Sequence, residues 1–228
     1  TESADSDRTM VTVHRLIARV IREDNHAADR ARDADQHATR VLSAVQPLNL
    51  DGYAAQRAAT TLLASQLLAL LAQDHSRHLA QTPAVLSVEG MCVYWANELS
   101  DPYTAIGLAE YVSIREQVLG PDHPDTLASR NNLAGAYQAA GDLGQAIPLY
   151  EATLTDRERV LGPDHPDTLA SRNNLAYAYE SAGDLGQAIP LCEATLTDME
   201  RVLGPDHPAT LTSRNNLAYA YQAAGDLG

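Results

Sequence analysis

Histidine is the residue of this 228-residue sequence whose type and spacing first suggest chemistry. His123, His165 and His207 stand in identical Gly-Pro-Asp-His-Pro segments, 42 residues apart. Imidazole is a common metal ligand, but ligand bonds of about 2 Å require side chains that converge on one ion. Side chains separated by this interval do not share an ion. We predict instead that each histidine ties its loop to the neighbouring unit.

The other reactive residue types lack the partners that would make them catalytic. Ser129, Ser171 and Ser213 recur at the same interval without a partnered base. His75 and His78 lack an evident third ligand, which favours a solvated helix end over a metal site. Without a lysine, no phosphate-binding loop of the form G-x-x-x-x-G-K-[ST] can exist. We therefore expect no catalysis, no metal and no cofactor in this chain.

Charge excludes two further classes of ligand. The chain has 16 basic residues, all arginine, against 30 acidic residues, which gives a formal charge of −14. Nucleic acids and anionic membranes both require clustered cations, so we expect neither as a partner. No apolar run reaches the ~18 residues of a membrane span. Cys92 and Cys192 have no metal or redox spacing, so we expect a cytoplasmic location.

An internal repeat organises the chain. Residues 120–161 and 162–203 differ at only five of 42 positions, and 204–228 begins a third copy. The five differences are Gly135/Tyr177, Gln138/Glu180, Ala139/Ser181, Tyr150/Cys192 and Arg157/Met199. Residues 84–119 contain a degenerate copy. The sequence thus predicts one degenerate repeat, two full repeats and one truncated repeat.

Each repeat reads as two helices. Pro124 suits a first helical turn, with Asp122 or His123 as the cap, and Gly141 ends this helix. The second helix begins near 144–145 and has Pro148 in its first turn. A single helical hairpin cannot bury its own apolar stripe, so such units stack.

The repeat resembles the tetratricopeptide (TPR) family. The matching residues are Leu133, Ala134, Tyr137, Gly141, Ala146 and Tyr150. Typical units have about 34 residues; the 42-residue length with "LGPDHPDT" and "NNLA" is similar to the kinesin-light-chain subtype. The resemblance implies an all-α, right-handed superhelical solenoid of stacked helix-turn-helix repeats. The departures from the pattern are Arg130, Arg172 and Arg214, where the family prefers a bulky apolar residue.

Three of the five differences lie at 135, 138 and 139, one strip of the first helix that avoids the packing residues. In tetratricopeptide proteins this strip lines the concave groove, which implies a protein or peptide ligand. An asparagine amide can pair with both sides of a peptide backbone, and tyrosine offers rigid contact area. Neutral drift with solvated asparagines is the alternative. The predicted groove residues are Asn131, Gln138, Asn173, Tyr177, Glu180, Asn215, Tyr219 and Gln222, beside Gly135.

The N-terminal part resembles a second family. Residues 11–24, "VTVHRLIARVIRED", are similar to the end of the winged-helix part of NB-ARC-type signalling ATPases of the STAND class. The resemblance implies a strand and helix in 1–25, a small winged-helix remnant, and a contact between His14 and ADP in the closed parent protein. A helix-start histidine without a ligand is the alternative. Residues 26–83 are predicted to be a helical linker and cap, with a long helix from Tyr53 to about His78.

Together these features predict a peptide-binding sensor segment of a bacterial signalling ATPase. ATP or ADP and the catalytic machinery are then expected upstream of Thr1, in a nucleotide-binding domain that contacts this segment. The alternative is a stand-alone scaffold or adaptor. We interpret the chain as an excised fragment whose C-terminal end exposes Leu217 and Tyr221, which predicts self-association there.

Overall fold

The computed structural model describes residues 53–71, 83–108 and 110–225. Every regular element in this part of the chain is a helix. The helices are α1 (Tyr53–Leu71), α2 (Pro83–Glu98), α3 (Pro102–Gly107), α4 (Glu110–Leu119), α5 (Pro124–Ala139), α6 (Leu143–Leu161), α7 (Pro166–Ser181), α8 (Leu185–Val202) and α9 (Pro208–Ala224). None of them combines the length and hydrophobicity that a membrane crossing requires.

The chain forms two compact units, Thr1–Gly120 and Pro121–Gly228. The boundary coincides with the predicted start of the first full repeat. The expectations for 1–25, including His14, and for 26–52 lie outside the described residues. Helix α1 begins at Tyr53, as predicted. Residues 72–82, which include His75 and His78, are also outside the described part.

The first unit packs α1, α3 and α4 against α2, which carries its most buried side chains. Glu89 on α2 is fully buried and forms an ion pair with Arg115 on α4. Burial raises the pKa of Glu89, while the Arg115 charge and hydrogen bond oppose that shift. Gly90 makes room for this pair, since a Cβ there would lie 2.9 Å from an Arg115 guanidinium nitrogen. A buried pair of this kind is weak evidence for added stability, because the desolvation of both charges offsets their attraction.

In the second unit each histidine of the repeated loop caps its own helix. His123 Nδ1 accepts a hydrogen bond from the Asp125 amide at 3.2 Å, and His165 and His207 do the same for α7 and α9. The following proline occupies the first turn, where its missing N–H group is harmless. His123 was one of the two predicted caps of α5, and that prediction is confirmed. The further prediction that these histidines tie the loop to the neighbouring unit stays a prediction. The cap satisfies a helix-end amide locally, and no inter-repeat contact is needed to explain the residue.

The second helices begin one residue earlier than predicted. Asp142 caps α6, since its carboxylate accepts from the Gln145 amide at 3.2 Å. Pro148 consequently lies in the second turn of α6 and not in the first. Gly141 links the two helices with a φ of 82°, a conformation that glycine adopts without strain.

Successive helices of the second unit pack against one another, and α7 contacts both α5 and α9. One cluster of buried residues crosses from one repeat to the next. It joins Ala134, Ala146, Tyr150 and Leu154 to Leu175 and Ala178. The first helices α5, α7 and α9 therefore form one layer and the second helices another. This is the predicted solenoid of stacked helical hairpins.

Candidate functional site

The layer of first helices contains a cleft between α7 and α9. It has a volume of about 720 Å³. Four of the eight predicted groove residues line it together with two residues that were not predicted: Tyr177, Glu180, Tyr219 and Gln222, with Asn216 and Ala223. We call this space the groove cleft.

The repeat itself explains why these side chains converge. Tyr177 and Tyr219 occupy equivalent positions 42 residues apart, and Glu180 and Gln222 follow each of them by three residues. Residues three apart on a helix lie on one face, so each pair presents one aromatic and one polar group to the same side. Because α7 and α9 are neighbours, the two pairs meet along the cleft. Both rings are accessible, with 49% of Tyr177 and 60% of Tyr219 exposed.

The electrostatics of this cleft depend on Glu180. The pKa of Cys192 on α8 is raised to about 11. Burial is the largest cause, and the negative charges of Glu180 and Glu193 add to it. Cys192 is buried and forms no disulfide, so it remains a protonated thiol at neutral pH. The cleft therefore combines aromatic surface with local negative potential.

The three predicted asparagines have unequal surroundings. Asn131 is half-buried, and its Oδ1 accepts hydrogen bonds from Ser171 Oγ at 3.3 Å and from Asn174 Nδ2 at 3.4 Å. Asn173 is buried, with 8% exposed, whereas Asn215 is exposed. None of the three lines the groove cleft. Asn131 holds adjacent repeats together in this structure, and a role in peptide binding remains a prediction for all three.

Gln138 lies on α5, where its Nε2 donates a hydrogen bond to Ser181 Oγ at 3.2 Å. It is half-buried and connects the first helices of two repeats. Ala223, which the sequence reasoning missed, is equivalent to Ala139 and Ser181, a position at which the repeats differ. That difference between repeats could have been used to predict Ala223 as a groove residue. Asn216 gave no such signal, because Asn132 and Asn174 precede it unchanged.

The arginines that depart from the repeat pattern lie against carboxylates. Arg130 binds Asp156 at 2.7 Å, and Arg214 binds Glu200 at 2.7 Å. Arg172 bridges Glu158 at 2.9 Å and Asp198 at 2.8 Å, and so connects two second helices. Charge pairing replaces the apolar contact that the general pattern uses at this position.

The tetratricopeptide repeat family matches the chain in three overlapping segments, 108–157, 129–191 and 173–228, which together cover more than half of it. The chain belongs to the tetratricopeptide repeat family. Its repeats are of the kinesin-light-chain-like type. A curated relative, Protein KINESIN LIGHT CHAIN-RELATED 2 of Arabidopsis thaliana, is 45% identical over 58 residues. That match covers 25% of this chain and only 8% of the relative.

Solved structures agree with this assignment. A Podosopora anserina protein, assigned to the kinesin light chains and built of nearly identical TPR-like repeats, is 28% identical with a TM-score of 0.60. The match covers 89% of this chain and 90% of that one. BtubC (BKLC) from P. vanneervenii has a TM-score of 0.60 at 19% identity, over 97% of this chain and 85% of that one, which shows a shared fold. The TPR fold supports a role in protein–protein interaction.

Proposed function

We propose that the tetratricopeptide solenoid captures an extended segment of a partner protein along α5, α7 and α9, with the groove cleft as its main contact. The observation that carries this proposal is the convergence of Tyr177, Glu180, Tyr219 and Gln222 on one cleft of about 720 Å³. Two half-exposed tyrosines supply the rigid contact area that dominates many interfaces. The amides of Asn216 and Gln222 each offer a donor and an acceptor to a peptide backbone. The role is binding without catalysis.

We further propose that this binding regulates a nucleotide-binding domain of a longer, bacterial and cytoplasmic signalling ATPase, and that His14 contacts its bound ADP. This extension is supported by the similarity of 11–24 to the end of the winged-helix part of STAND-class ATPases and by its position before the repeats. Partner binding would then shift the closed and open states of that domain. In the parent protein, His14→Ala should raise basal ATP hydrolysis. An unchanged basal rate would favour the alternative, a stand-alone scaffold.

Peptide capture is tested with a display library of random unstructured peptides, selected on the immobilised 228-residue chain. Peptides that bind in the cleft should lose about tenfold or more in affinity with Tyr177→Ala or Tyr219→Ala, because truncating an aromatic anchor removes about 1.4 kcal/mol or more. Fluorescence anisotropy of the enriched peptides gives the dissociation constants.

The matched control is Tyr103→Ala. Tyr103 lies on α3, is 76% exposed and does not line the groove cleft, so its loss should leave peptide affinity unchanged. Light scattering at the same concentrations separates capture from self-association of the chain. Equal affinity of wild type and both cleft variants for every enriched peptide would eliminate the groove cleft as the binding site.

A further inference from the structure

The groove cleft differs in charge from the equivalent positions of the other repeats. Its lining consists of two tyrosine rings, two side-chain amides, one alanine methyl group and the Glu180 carboxylate. Glu180 is the only one of these groups that is charged at neutral pH. The equivalent positions hold Gln138 and Gln222, which are neutral. The lining of this aromatic cleft therefore contains one negative charge, and only one of the three repeats supplies it.

This charge has no counter-ion within the part of the chain that the structure describes. Residues 121–228 contain 15 acidic side chains and six arginines. Five of the arginines pair with carboxylates other than Glu180, and the sixth donates to a carbonyl and a serine. The five paired arginines are Arg130, Arg159, Arg172, Arg201 and Arg214. The sixth is Arg157. The excess of negative charge in this segment adds to the potential at the cleft and attracts cations.

The two rings provide a second attraction for a cation. The face of a tyrosine ring is electron-rich, and it attracts an ammonium or guanidinium group that lies within about 6 Å of its centre. A planar guanidinium can in addition stack on such a ring. Tyr177 and Tyr219 come from adjacent helices and line the same cleft with about half of their surface accessible. An aromatic pair beside an unpaired carboxylate suits a cationic side chain and disfavours an acidic one.

We propose that the groove cleft receives an arginine or lysine side chain of an extended partner peptide, with Tyr177 and Tyr219 against the cation and Glu180 as its counter-ion. This inference rests on the proposed peptide capture and specifies its ligand. The amides of Asn216 and Gln222 then bind the peptide backbone on either side of the cation. Gly135 stands where the other repeats have Tyr177 and Tyr219, so α5 cannot provide the same aromatic surface. The preference for a cation therefore belongs to the α7–α9 cleft.

The test compares peptide selection on the wild-type chain with selection on Glu180→Gln. Glutamine already stands at the equivalent position of both neighbouring repeats, so this variant keeps the fold, which circular dichroism verifies. Peptides enriched by the wild type should carry arginine or lysine, and the variant should show a weaker enrichment of these residues. An enriched arginine peptide is then compared with its citrulline version, which has nearly the same shape and no charge. The wild type should prefer arginine by about tenfold. Glu180→Gln should prefer it by only about two- to fivefold, because the two tyrosine rings remain.

Two failures are distinguishable. Enriched peptides that depend on Tyr177 and Tyr219 but lack arginine and lysine, or that bind equally as citrulline versions, overturn the cation preference and leave peptide capture intact. If no enriched peptide depends on the two tyrosines, peptide capture fails and this inference fails with it. Raising the salt concentration gives an independent readout, because the arginine preference should weaken as Glu180 is screened.

Discussion

Two junctions between repeats have nearly the same sequence but different chemistry. The first junction joins 120–161 to 162–203, and the second joins 162–203 to 204–228. In the first junction, Tyr150 and Arg157 on α6 are buried, with 3% and 7% exposed. The equivalent residues on α8 are Cys192 and Met199, with 1% and 2% exposed. The two remaining differences between the full repeats thus lie in the packed junctions and not on the groove strip.

The first junction contains a chain of hydrogen bonds. Arg157 donates to the Asp167 carbonyl at 2.8 Å and to Ser171 Oγ at 2.7 Å, and Ser171 Oγ donates to Asn131 Oδ1 at 3.3 Å. Burial lowers the pKa of Arg157, and the Asp167 charge opposes this shift. The chain connects α5, α6 and α7 through buried polar groups.

The second junction lacks the donor that begins this chain. Met199 cannot replace the guanidinium, and both Ser213 Oγ and Asn173 Oδ1 are buried without a hydrogen-bond partner in the described part of the chain. The second junction thus stacks its repeat without the buried polar chain, although the Arg214–Glu200 ion pair and the hydrogen bond from Thr210 Oγ1 to the Met199 carbonyl still join α8 to α9. The groove cleft lies on α7 and α9, across the less polar junction. We expect the second junction to open more easily than the first, and thus to adapt more readily to a ligand.

The largest expected difference in stability between the junctions comes from the position that Tyr150 and Cys192 share. Its ring joins the buried cluster that crosses from the first full repeat to Leu175 and Ala178 of the next. Tyr150→Ala should reduce the free energy of unfolding by about 3–5 kcal/mol, as for other buried aromatic truncations. Cys192→Ala removes a single sulfur from the equivalent position and should reduce it by about 1 kcal/mol. Urea unfolding followed by circular dichroism measures both.

Repeat proteins can unfold one repeat at a time, so a second measurement locates the effect. Amide hydrogen exchange should accelerate in α5 to α7 for Tyr150→Ala and in α7 to α9 for Cys192→Ala. Equal destabilisation by the two variants would contradict the difference between the junctions that their burial indicates.

The serines at the two junctions provide a closer comparison. Ser171→Ala removes a hydrogen-bond partner of a buried guanidinium and should destabilise the chain by about 1.5–3 kcal/mol. Ser213→Ala removes a buried hydroxyl that has no hydrogen-bond partner among the described residues, so stability should stay unchanged or rise by up to about 1 kcal/mol. Urea unfolding of the two variants under the same conditions gives the difference.

A double substitution tests whether Arg157 is the cause. In an Arg157→Met background, which copies the second junction, the loss on Ser171→Ala should fall below half of its value in the wild type. If Ser171→Ala costs the same in both backgrounds, the hydrogen bond at 2.7 Å does not stabilise the first junction.

The fold could be predicted from the sequence because the residues that begin and end each helix recur in every repeat. Proline after histidine, Asp142 before a helix and glycine at φ 82° each fix one helix end from neighbouring residues alone. The capping role of His123 was also predicted, whereas the contact between repeats suggested for these histidines stays a prediction. Local chemistry thus predicted the helices better than it predicted the partners of individual side chains.

The junction was less predictable. Arg157 follows Tyr150 by seven residues, the spacing of one helix face, so its burial could have been inferred. Its binding to Ser171 could not, because that contact depends on how α6 and α7 cross. The same limit applies to Asn173, which was expected along the groove and is buried in the structure. Tyr177, Glu180, Tyr219 and Gln222 lie on the strip where the copies differ, and they line the groove cleft. Their binding of a ligand stays a prediction.

The smallest expected effect concerns a feature that the repeats share. Arg159 binds Asp122 and Arg201 binds Asp164, each closing one hairpin between its first loop and its last helical turn. The arginine hydrogen bonds hold the pKa of both aspartates below its ordinary value. A carboxyl group with a lowered folded-state pKa stabilises the fold above its unfolded pKa of about 3.9, and the contribution is lost as the pH falls through the folded value.

Asp122→Asn and Asp164→Asn should therefore lower the urea midpoint slightly, and equally, at neutral pH. The difference from wild type should shrink as the pH is lowered below about 3.9. Because both ion pairs are solvent-exposed, high salt should also reduce the difference in urea midpoint between variant and wild type. A clearly larger loss for one aspartate would mean that the junction chemistry extends into the loops, and the two hairpins would then not be equivalent.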